Sequence, residues 1–346
     1  MTLATPNAST SADPLLKDLR RRYPGLYALL DPARVAADQP VTPVDFEPAE
    51  HGGRGDSYRA AQRDARIRGR GITALFTLAS PGRDLASWRP DHVVLDVLGG
   101  DGTLARAVAD LLPESARPTV FTSDLSAGMV RAAQKHGLPA VRQAAQALRL
   151  RDSVVDAVVL AYGTHHIPVP ERAAAVREAY RVLRPGGRLA LHDFAERSPA
   201  ARWFGDVVDP YSRTGHRFPH FTPDEMRRLL TRVGFADVMV GPVYDPFVLA
   251  GPSQAAVRRA LGRHLRRMYG LVRCDDEQVA RLAEAWFRYP ASDLPPGQQV
   301  RQLSYLRVDG GWQAELPRVA LVATGRRPLP PSLPAQPSDG AGTGTT

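Results

Sequence analysis

The chain has 346 residues, 43% of them hydrophobic, and a formal net charge of +9. Its length and composition are typical of a globular protein with one large or two modest domains. The single cysteine, Cys274, excludes an internal disulfide, and no apolar run approaches the roughly 20 residues that span a bilayer. The first residues lack the basic and apolar regions of a secretory signal, so we expect a cytoplasmic protein without a membrane partner. Almost all of the positive charge is arginine, with Lys17 and Lys135 the only lysines, which is typical of a GC-rich bacterial genome and argues against a nucleic-acid partner.

The N-terminal quarter has helical patterns and no strand signal. Residues 15–30 and 58–79 carry apolar residues at helical spacing, and residues 31–57 are typical of a long irregular connection. The simplest interpretation of the arginine-rich segment 59–70 is a solvent-exposed face, with binding of an anionic substrate or RNA as the weaker alternative. Its arginines are Arg59, Arg63, Arg66, Arg68 and Arg70.

From residue 91 onward, short β-branched runs alternate with amphipathic segments. This alternation predicts an α/β fold, a Rossmann-like parallel sheet with helices on both faces. The predicted strands are 93–97, 119–123, 139–142, 155–161, 187–193, 235–240 and 318–324. The predicted helices are 103–112, 126–136, 170–183, 223–232, 252–269 and 275–289.

These patterns divide the chain into six segments. A Rossmann-like core is flanked by an N-terminal cap and interrupted before its last strand by an insertion, and both ends are Pro-, Ser- and Thr-rich. The predicted segments are a disordered tail (1–14), an N-terminal helical cap (15–90), the core (91–245), a helical insertion (246–315), the last core strand (316–326) and a second disordered tail (327–346).

A strand, a glycine turn and a helix follow one another from residue 93. Asp96 ends the strand, and Gly100 and Gly102 allow a ligand to approach the backbone without a Cβ in the way. Asp124 ends the next strand, at the spacing of an acid that binds ribose hydroxyls. These residues are compatible with either NAD or an adenosyl cofactor.

Motifs further along the chain distinguish the two cofactors. They are, in order, Asp124-Leu-Ser-Ala-Gly-Met129, Asp152-Ser-Val-Val-Asp156, His165-His166-Ile-Pro168, Arg181-Val-Leu-Arg-Pro-Gly-Gly187 and Val233-Gly-Phe235. In this series the chain resembles the class I S-adenosylmethionine-dependent methyltransferases, especially the small-molecule group related to quinone biosynthesis. The resemblance covers about residues 91–240 and, weakly, 318–326. It implies a seven-stranded methyltransferase sheet with an N-terminal helical cap and a helical insertion before the last strand, and S-adenosyl-L-methionine as cofactor.

Two positions depart from the family pattern. Leu98 stands where the first loop glycine is expected, and Gly99 is displaced from that place by one residue. Ala144 stands where the family tends to carry an acid that contacts adenine, so the amide of Gln146 is the substitute candidate. Adenine recognition is therefore less well defined than ribose recognition.

The resemblance assigns roles along the cofactor. The glycine loop would hold the methionine and ribose portions, the acid after the second strand the ribose hydroxyls, and the tyrosine after the fourth strand the methyl end. Leu125 and Met129 would pack against adenine or belong to the ordinary core, and Asp124 has the alternative role of a helix cap. The predicted cofactor-binding residues are Asp96, Gly100, Gly102, Asp124, Leu125, Met129, Gln146 and Tyr162.

Transfer to a hydroxyl or an acidic C–H group is helped by a base, and histidine suits this role. His166, after the fourth strand, and His192, at the end of the fifth, are the predicted catalytic residues. His165 is interpreted as loop packing, and His216 and His220 are secondary candidates. No metal site is predicted, because the paired histidines lack partners at metal spacing.

The predicted function is methyl transfer to O, N or C of a small-molecule acceptor in bacterial specialised, antibiotic-type metabolism. Aromatic residues in the insertion 246–315 indicate an acceptor-pocket lid and an aromatic or hydrophobic acceptor. The alternatives are a cyclisation or another non-methylating reaction on this fold, RNA methylation, and non-catalytic binding. The oligomeric state stays open, a homodimer included.

Overall fold

The structure is a computed structural model that describes residues 13–37, 39 and 44–330. Residues 1–12 and 331–346 of the two predicted tails lie outside the described part. The inner ends of both tails are not disordered, which corrects their predicted borders. The side chain of Asp13 accepts a hydrogen bond from the backbone N–H of Leu15, and Arg327 exchanges backbone hydrogen bonds with Gly186 and Gly187.

A seven-stranded sheet forms the centre of the molecule. Its strands are β1 (Val93–Asp96), β2 (Thr119–Asp124), β3 (Ala140–Arg142), β4 (Val155–Leu160), β5 (Leu183–Asp193), β6 (Ala236–Tyr244) and β10 (Val319–Arg326). The spatial order is β3-β2-β1-β4-β5-β10-β6, with β10 antiparallel to both neighbours and the other pairs parallel. The predicted α/β sheet is therefore confirmed.

Thirteen α-helices occur in the described part of the chain. They are α1 (Pro14–Arg22), α2 (Pro24–Tyr27), α3 (Pro32–Ala36), α4 (Gly55–Ala61), α5 (Gly69–Ala79), α6 (Thr103–Leu111), α7 (Ala127–Lys135), α8 (Val169–Val182), α9 (Pro199–Trp203), α10 (Asp209–Tyr211), α11 (Pro223–Val233), α12 (Gln254–Tyr269) and α13 (Asp276–Trp286). Side-chain caps mark several of these starts, for example Ser126 before α7 and Thr222 before α11. None of the described helices has the length and apolarity to cross a membrane.

Successive residues of the central strands enter two different cores. Val94 and Val159 belong to the core that includes α5 and α6, whereas Leu95 and Val158 belong to the core that includes α8 and α11. Because side chains alternate along a strand, the sheet is covered by helices on both faces, as predicted.

Two features differ from the sequence prediction. The insertion is not purely helical, because β7 (Phe247–Gly251), β8 (Ser304–Val308) and β9 (Gly311–Leu316) form a separate antiparallel sheet in the order β7-β9-β8. β5 begins at Leu183 instead of residue 187. Its pairing with β4 shifts register after Leu183, and Gly186 takes a left-handed φ of +86° there, so the strand continues through the glycines as an irregular segment.

Candidate cofactor and acceptor site

A cavity of about 280 Å³ lies beyond the carboxyl ends of β1, β2, β3 and β4. This is the edge at which open α/β sheets bind their ligands. Six of the eight predicted cofactor residues line it: Gly100, Asp124, Leu125, Met129, Gln146 and Tyr162. The structure thus brings together side chains from loops after four separate strands.

Asp124 joins two loops of this cavity. Its Oδ2 accepts a hydrogen bond from the backbone N–H of Gly100 at 3.0 Å, and its Oδ1 accepts one from Ser126 at 2.8 Å. Ser126, not Asp124, caps α7. Burial raises the pKa of Asp124 to about 6, against the opposing effect of these backbone hydrogen bonds.

Asp96 and Gly102 do not line this cavity, so their contact with a ligand stays a prediction. The carboxylate of Asp96 is buried, and its Oδ2 has no hydrogen-bond partner among the described residues. Burial, with a contribution from Asp124, raises the pKa of Asp96 to about 8. Gly102 has a φ of +84° and precedes α6, a position that favours glycine.

The displaced glycine of the loop has a structural reason. A Cβ on Gly99 would lie 2.5 Å from Oδ2 of Asp96 and 2.7 Å from Cγ2 of Thr122. Leu98, at the expected glycine position, instead lines the cavity. The position of the loop that must lack a Cβ is therefore Gly99. A leucine at position 98 is compatible with a ligand in the cavity, because its side chain forms part of the cavity wall.

The end of the cavity next to β3 carries an additional acid. The side-chain amide of Gln146 donates a hydrogen bond to Oε2 of Glu171 at 2.6 Å, and both residues line the cavity. The backbone N–H of Ala144 donates to the side chain of Gln39 at 2.7 Å. Glu171 lies in the first turn of α8, 25 residues further along the chain, so only the fold places it beside Gln146.

A second, smaller cavity of about 40 Å³ adjoins the first. Both cavities are lined by Phe46, Tyr58, Tyr162, Gly163 and His166. The predicted bases lie here, since His192 lines the small cavity and His166 lines both. Further residues of its wall come from the N-terminal cap (Arg54 and Arg68), from the insertion (Met268 and Tyr269) and from Arg318, directly before β10.

Tyr162 connects the two cavities to a buried charged network. Its φ of +61° is in the left-handed region that side chains rarely adopt, a form of strain that clusters at functional sites. Its hydroxyl donates a hydrogen bond to Oδ1 of Asp245 at 3.3 Å. Asp245 also forms an ion pair with Arg318 and lies 3.6 Å from Nε2 of His192.

Sequence reasoning missed Asp245. The residue directly follows β6, which runs parallel to β5 because both are antiparallel to β10. An acid directly after a strand that ends at the cavity edge of the sheet is a signal for a site residue. The predicted strand ended at residue 240, so Asp245 was not recognised as such an acid.

Arg68 is buried and does not belong to a solvent-exposed face, which corrects that interpretation of segment 59–70 for this residue. Its guanidinium carbon lies 3.8 Å from the ring centroid of Tyr162. No carboxylate of the described chain forms a salt bridge with it, and its Nε has no hydrogen-bond partner there. Arg63, Arg66 and Arg70 are exposed, as predicted.

Four histidines gather beside the small cavity. Nδ1 of His165 and Nδ1 of His220 each lie 2.9 Å from the carboxylate of Asp193. His166 and His216 complete the cluster, and one ring nitrogen from each of His165, His166 and His216 lies within 4.8 Å of the other two. This grouping corrects the expectation that the paired histidines lack partners at metal distance, because His216 comes from a loop after β5. Burial lowers the pKa of His216 to about 2 and that of His166 well below the usual value, so both rings are neutral.

Comparisons with known proteins agree with this geometry. Residues 94–187 match a family model described as a methyltransferase domain. The chain is 32% identical over 135 residues to the ubiquinone/menaquinone biosynthesis C-methyltransferase UbiE of Stenotrophomonas maltophilia, covering 37% of this chain and 51% of that protein. It is 37% identical over 129 residues to the protein of the same name from Rhizobium meliloti, covering 35% of this chain and 46% of that protein. The chain thus spans about half the length of the curated relatives it matches.

Among solved structures, a SAM-dependent methyltransferase from Thermotoga maritima is 17% identical, with a TM-score of 0.44, covering 79% of this chain and 94% of that one. The similarity to methyltransferases comes from the match over residues 94–187 and from the related sequences. Residues 94–187 are therefore similar to a methyltransferase domain, and they belong to a chain whose seven-stranded sheet has the strand order β3-β2-β1-β4-β5-β10-β6.

Proposed function

We propose that this protein transfers the methyl group of S-adenosyl-L-methionine to a small-molecule acceptor. The observation that carries the proposal is the contact between the two cavities. Tyr162, Gly163 and His166 belong to both walls, so a cofactor in the large cavity and an acceptor in the small one meet at these residues. Holding two reactants in line is the main contribution of a protein to such a transfer.

The cofactor roles proposed for the large cavity follow from chemistry and position. Asp124 offers carboxylate oxygens for the ribose hydroxyls, and the paired Gln146 and Glu171 offer polar groups for the adenine edge. Met129 and Leu125 supply apolar surface to a purine ring, and Tyr162 closes the methyl end. Asp96 remains a proposed cofactor residue, because its buried Oδ2 lies beside Gly99 of the glycine loop and has no hydrogen-bond partner among the described residues.

His166 and His192 are the proposed bases. His166 lies at the junction of the two cavities, and His192 lies in the small cavity with its Nε2 toward Asp245. A carboxylate that faces an imidazole stabilises the protonated form of the ring when it accepts a proton. Of the two, His192 is therefore better equipped to hold the proton that the acceptor loses.

At about 40 Å³ the small cavity has room for only a small part of an acceptor, and we propose that this part is an anionic group attached to an aromatic or hydrophobic body. Arg68 provides the charge, because it is buried in the wall of this cavity and forms no salt bridge with a carboxylate of the described residues. Phe46, Phe194, Phe204 and Tyr269 provide the apolar surface.

We further propose that the acceptor differs from the quinones named for the relatives and belongs to bacterial specialised, antibiotic-type metabolism. Support comes from the small cavity, much of whose wall lies outside the matched residues 94–187. The N-terminal cap and the insertion would then set acceptor specificity, the insertion as a lid. A cytoplasmic location belongs to the same proposal, and the oligomeric state is open. Biosynthetic genes beside the coding gene would identify the class of acceptor.

Calorimetry with S-adenosylhomocysteine tests the cofactor half of the proposal, and we expect saturable binding at one site per chain. The second half is tested with a methyl-labelled cofactor and candidate acceptors, where label must appear in the acceptor as S-adenosylhomocysteine forms. Conversion of an acceptor without label transfer would favour the alternative of a non-methylating reaction. Label transfer to RNA, with salt-dependent RNA binding, would favour the third alternative.

A further inference from the structure

We propose that His165, His166 and His216 form a binding site for one divalent transition-metal ion, with zinc as the reference ion. A ring nitrogen that binds a metal cannot accept a proton, so His192 is the proposed base of the metal-bound protein. The three rings come from the loop after β4 and from the loop before α11. Each contributes a nitrogen that lies within 4.8 Å of the nitrogens of the other two. Neutral imidazole nitrogens are the ligands that zinc and its neighbours in the first transition series prefer.

The spacing of the rings agrees with tetrahedral coordination. The ring centroids of His165 and His166 are 4.5 Å apart, those of His165 and His216 5.0 Å, and those of His166 and His216 5.1 Å. Zinc–nitrogen bonds of about 2.1 Å hold three imidazole centroids roughly 5 Å apart in a tetrahedral site. Small side-chain rotations therefore suffice to close the site on an ion.

Asp193 gives the site a second layer of support. Its carboxylate lies 2.9 Å from Nδ1 of His165 and accepts hydrogen bonds from the hydroxyl of Thr164 and the backbone N–H of Phe194. This places the proton of His165 on Nδ1 and leaves the lone pair of Nε2 for a metal. A carboxylate that orients a ligating histidine in this way is the usual companion of protein metal sites.

Two of the ligand rings also carry polar atoms that lack partners. Nδ1 of His166 and Nε2 of His216 are buried and make no hydrogen bond within the described chain. A buried polar atom without a hydrogen-bond partner destabilises the folded state, and coordination to an ion would supply the missing partner. The nearby cation Arg54 does not oppose the ion strongly, because Asp45 neutralises it at 2.7 Å.

The three histidines leave a coordination position open on the side of the small cavity, which His165 and His166 line. An oxygen of the acceptor can occupy that position, where the positive ion favours its deprotonated form. This role of the ion rests on the proposed function, whereas the metal site itself does not. The proposed ion would select an acceptor with an anionic oxygen. This agrees with Arg68, which lines the same cavity and forms no salt bridge with a described carboxylate.

The test uses the full chain, purified without a histidine tag, treated with a chelator and then titrated with zinc. We expect one zinc per chain by calorimetry and by elemental analysis after dialysis, and visible absorption typical of tetrahedral cobalt when Co²⁺ replaces zinc. A folded wild-type protein that binds S-adenosylhomocysteine but holds no zinc or cobalt would overturn the metal site. If the protein binds metal but not S-adenosylhomocysteine, the proposed methyl transfer would be contradicted and the metal site would stand.

Two variants make the assignment specific. His216→Asn should lower zinc affinity by at least about 100-fold, because one of three protein ligands is lost. His264→Asn is the matched control, since His264 is also buried with an unpartnered Nε2 but lies outside the cluster. Zinc retained by His216→Asn, or lost equally in both variants, would contradict the assignment. If His216→Asn fails to fold, Asp193→Asn replaces it in the test. A cobalt spectrum and a metal affinity equal to those of the wild type would argue against the site.

Discussion

The carboxylate of Asp245 lies 3.6 Å from Nε2 of His192 and at the same time forms a buried ion pair with Arg318. One acid thus connects a proposed base in the acceptor cavity to the last strand of the sheet. Gly71 of α5 packs directly on it, since a Cβ there would overlap the Asp245 side chain. The same carboxylate therefore contacts both a buried ion-pair partner and a proposed base.

Removing the acid should destabilise the fold. Asp245→Ala leaves Arg318 buried without its partner, and breaking a buried ion pair in this way costs about 3–5 kcal/mol. Urea unfolding of the variant and the wild type measures the difference. Asp237→Ala is the control, because the ion pair of Asp237 with Arg326 is exposed. If Asp245→Ala lowers the free energy of unfolding no more than the control does, the role of this network is contradicted.

Removing a base should slow the reaction without weakening cofactor binding. His192→Asn keeps a similar volume but cannot hold the proton of the acceptor, so we expect kcat to fall about 10²- to 10⁴-fold. Affinity for S-adenosylhomocysteine should stay at the wild-type value, because His192 does not line the large cavity. The same measurements on His166→Asn decide between the two histidines, and wild-type kcat in both variants would remove them as bases.

Asp124 should determine cofactor affinity. A hydrogen bond to a charged group contributes about 1.5–3 kcal/mol, so Asp124→Asn should weaken S-adenosylhomocysteine binding roughly 10- to 100-fold. Asparagine retains an acceptor for the N–H of Gly100, which limits loss of the loop structure. Asp110→Asn, an exposed site at the end of α6, is the calorimetric control. Equal affinities in the two variants would refute the ribose role.

The glycine loop should not tolerate a side chain at Gly99. Gly99→Ala puts a methyl group 2.5 Å from Oδ2 of Asp96, and overpacking of this kind typically costs about 1–3 kcal/mol. Gly25→Ala serves as the control, because nothing lies within 4 Å of the added methyl group. Thermal unfolding of both variants checks the difference, and equal effects would show that the loop adapts.

Asp96 should make the free energy of unfolding depend on pH. Its folded pKa of about 8 is above the ordinary value of 3.8, so the folded state holds a proton that the unfolded state has already lost. Its stabilising contribution is complete at low pH and is lost as the pH rises from about 4 to about 8. Between about pH 7.5 and pH 9, where histidines of the unfolded chain are largely neutral, wild-type stability should fall more steeply than that of Asp96→Asn. Parallel slopes in urea unfolding would contradict the buried acid.

Local patterns predicted the secondary structure well because they depend on neighbours in the chain. The α11 start at Pro223, capped by Thr222, and its end before Gly234 with a φ of +101° follow from residue types alone. Of the six predicted residues that line the large cavity, Gly100 and Asp124 follow from the glycine turn and the strand-end acid, because strand ends of a parallel sheet share one edge. The other four, Leu125, Met129, Gln146 and Tyr162, were implied by the family resemblance. Prediction was weaker in the insertion, where β7, β8 and β9 pair only with one another and carry no βαβ signal.

By itself, the sequence determined the alternation of strands and helices, the glycine loop and the ordered motifs of the methyltransferase domain, since each is encoded within short stretches of chain. Only the tertiary structure decided what surrounds the acceptor. Arg68 looks like one more surface arginine until α5 packs it under Tyr162, and His216 looks isolated until its loop meets His165 and His166. Burial, charge pairing and metal geometry depend on distances between segments far apart in the chain, and only the packed sheet brings these segments together.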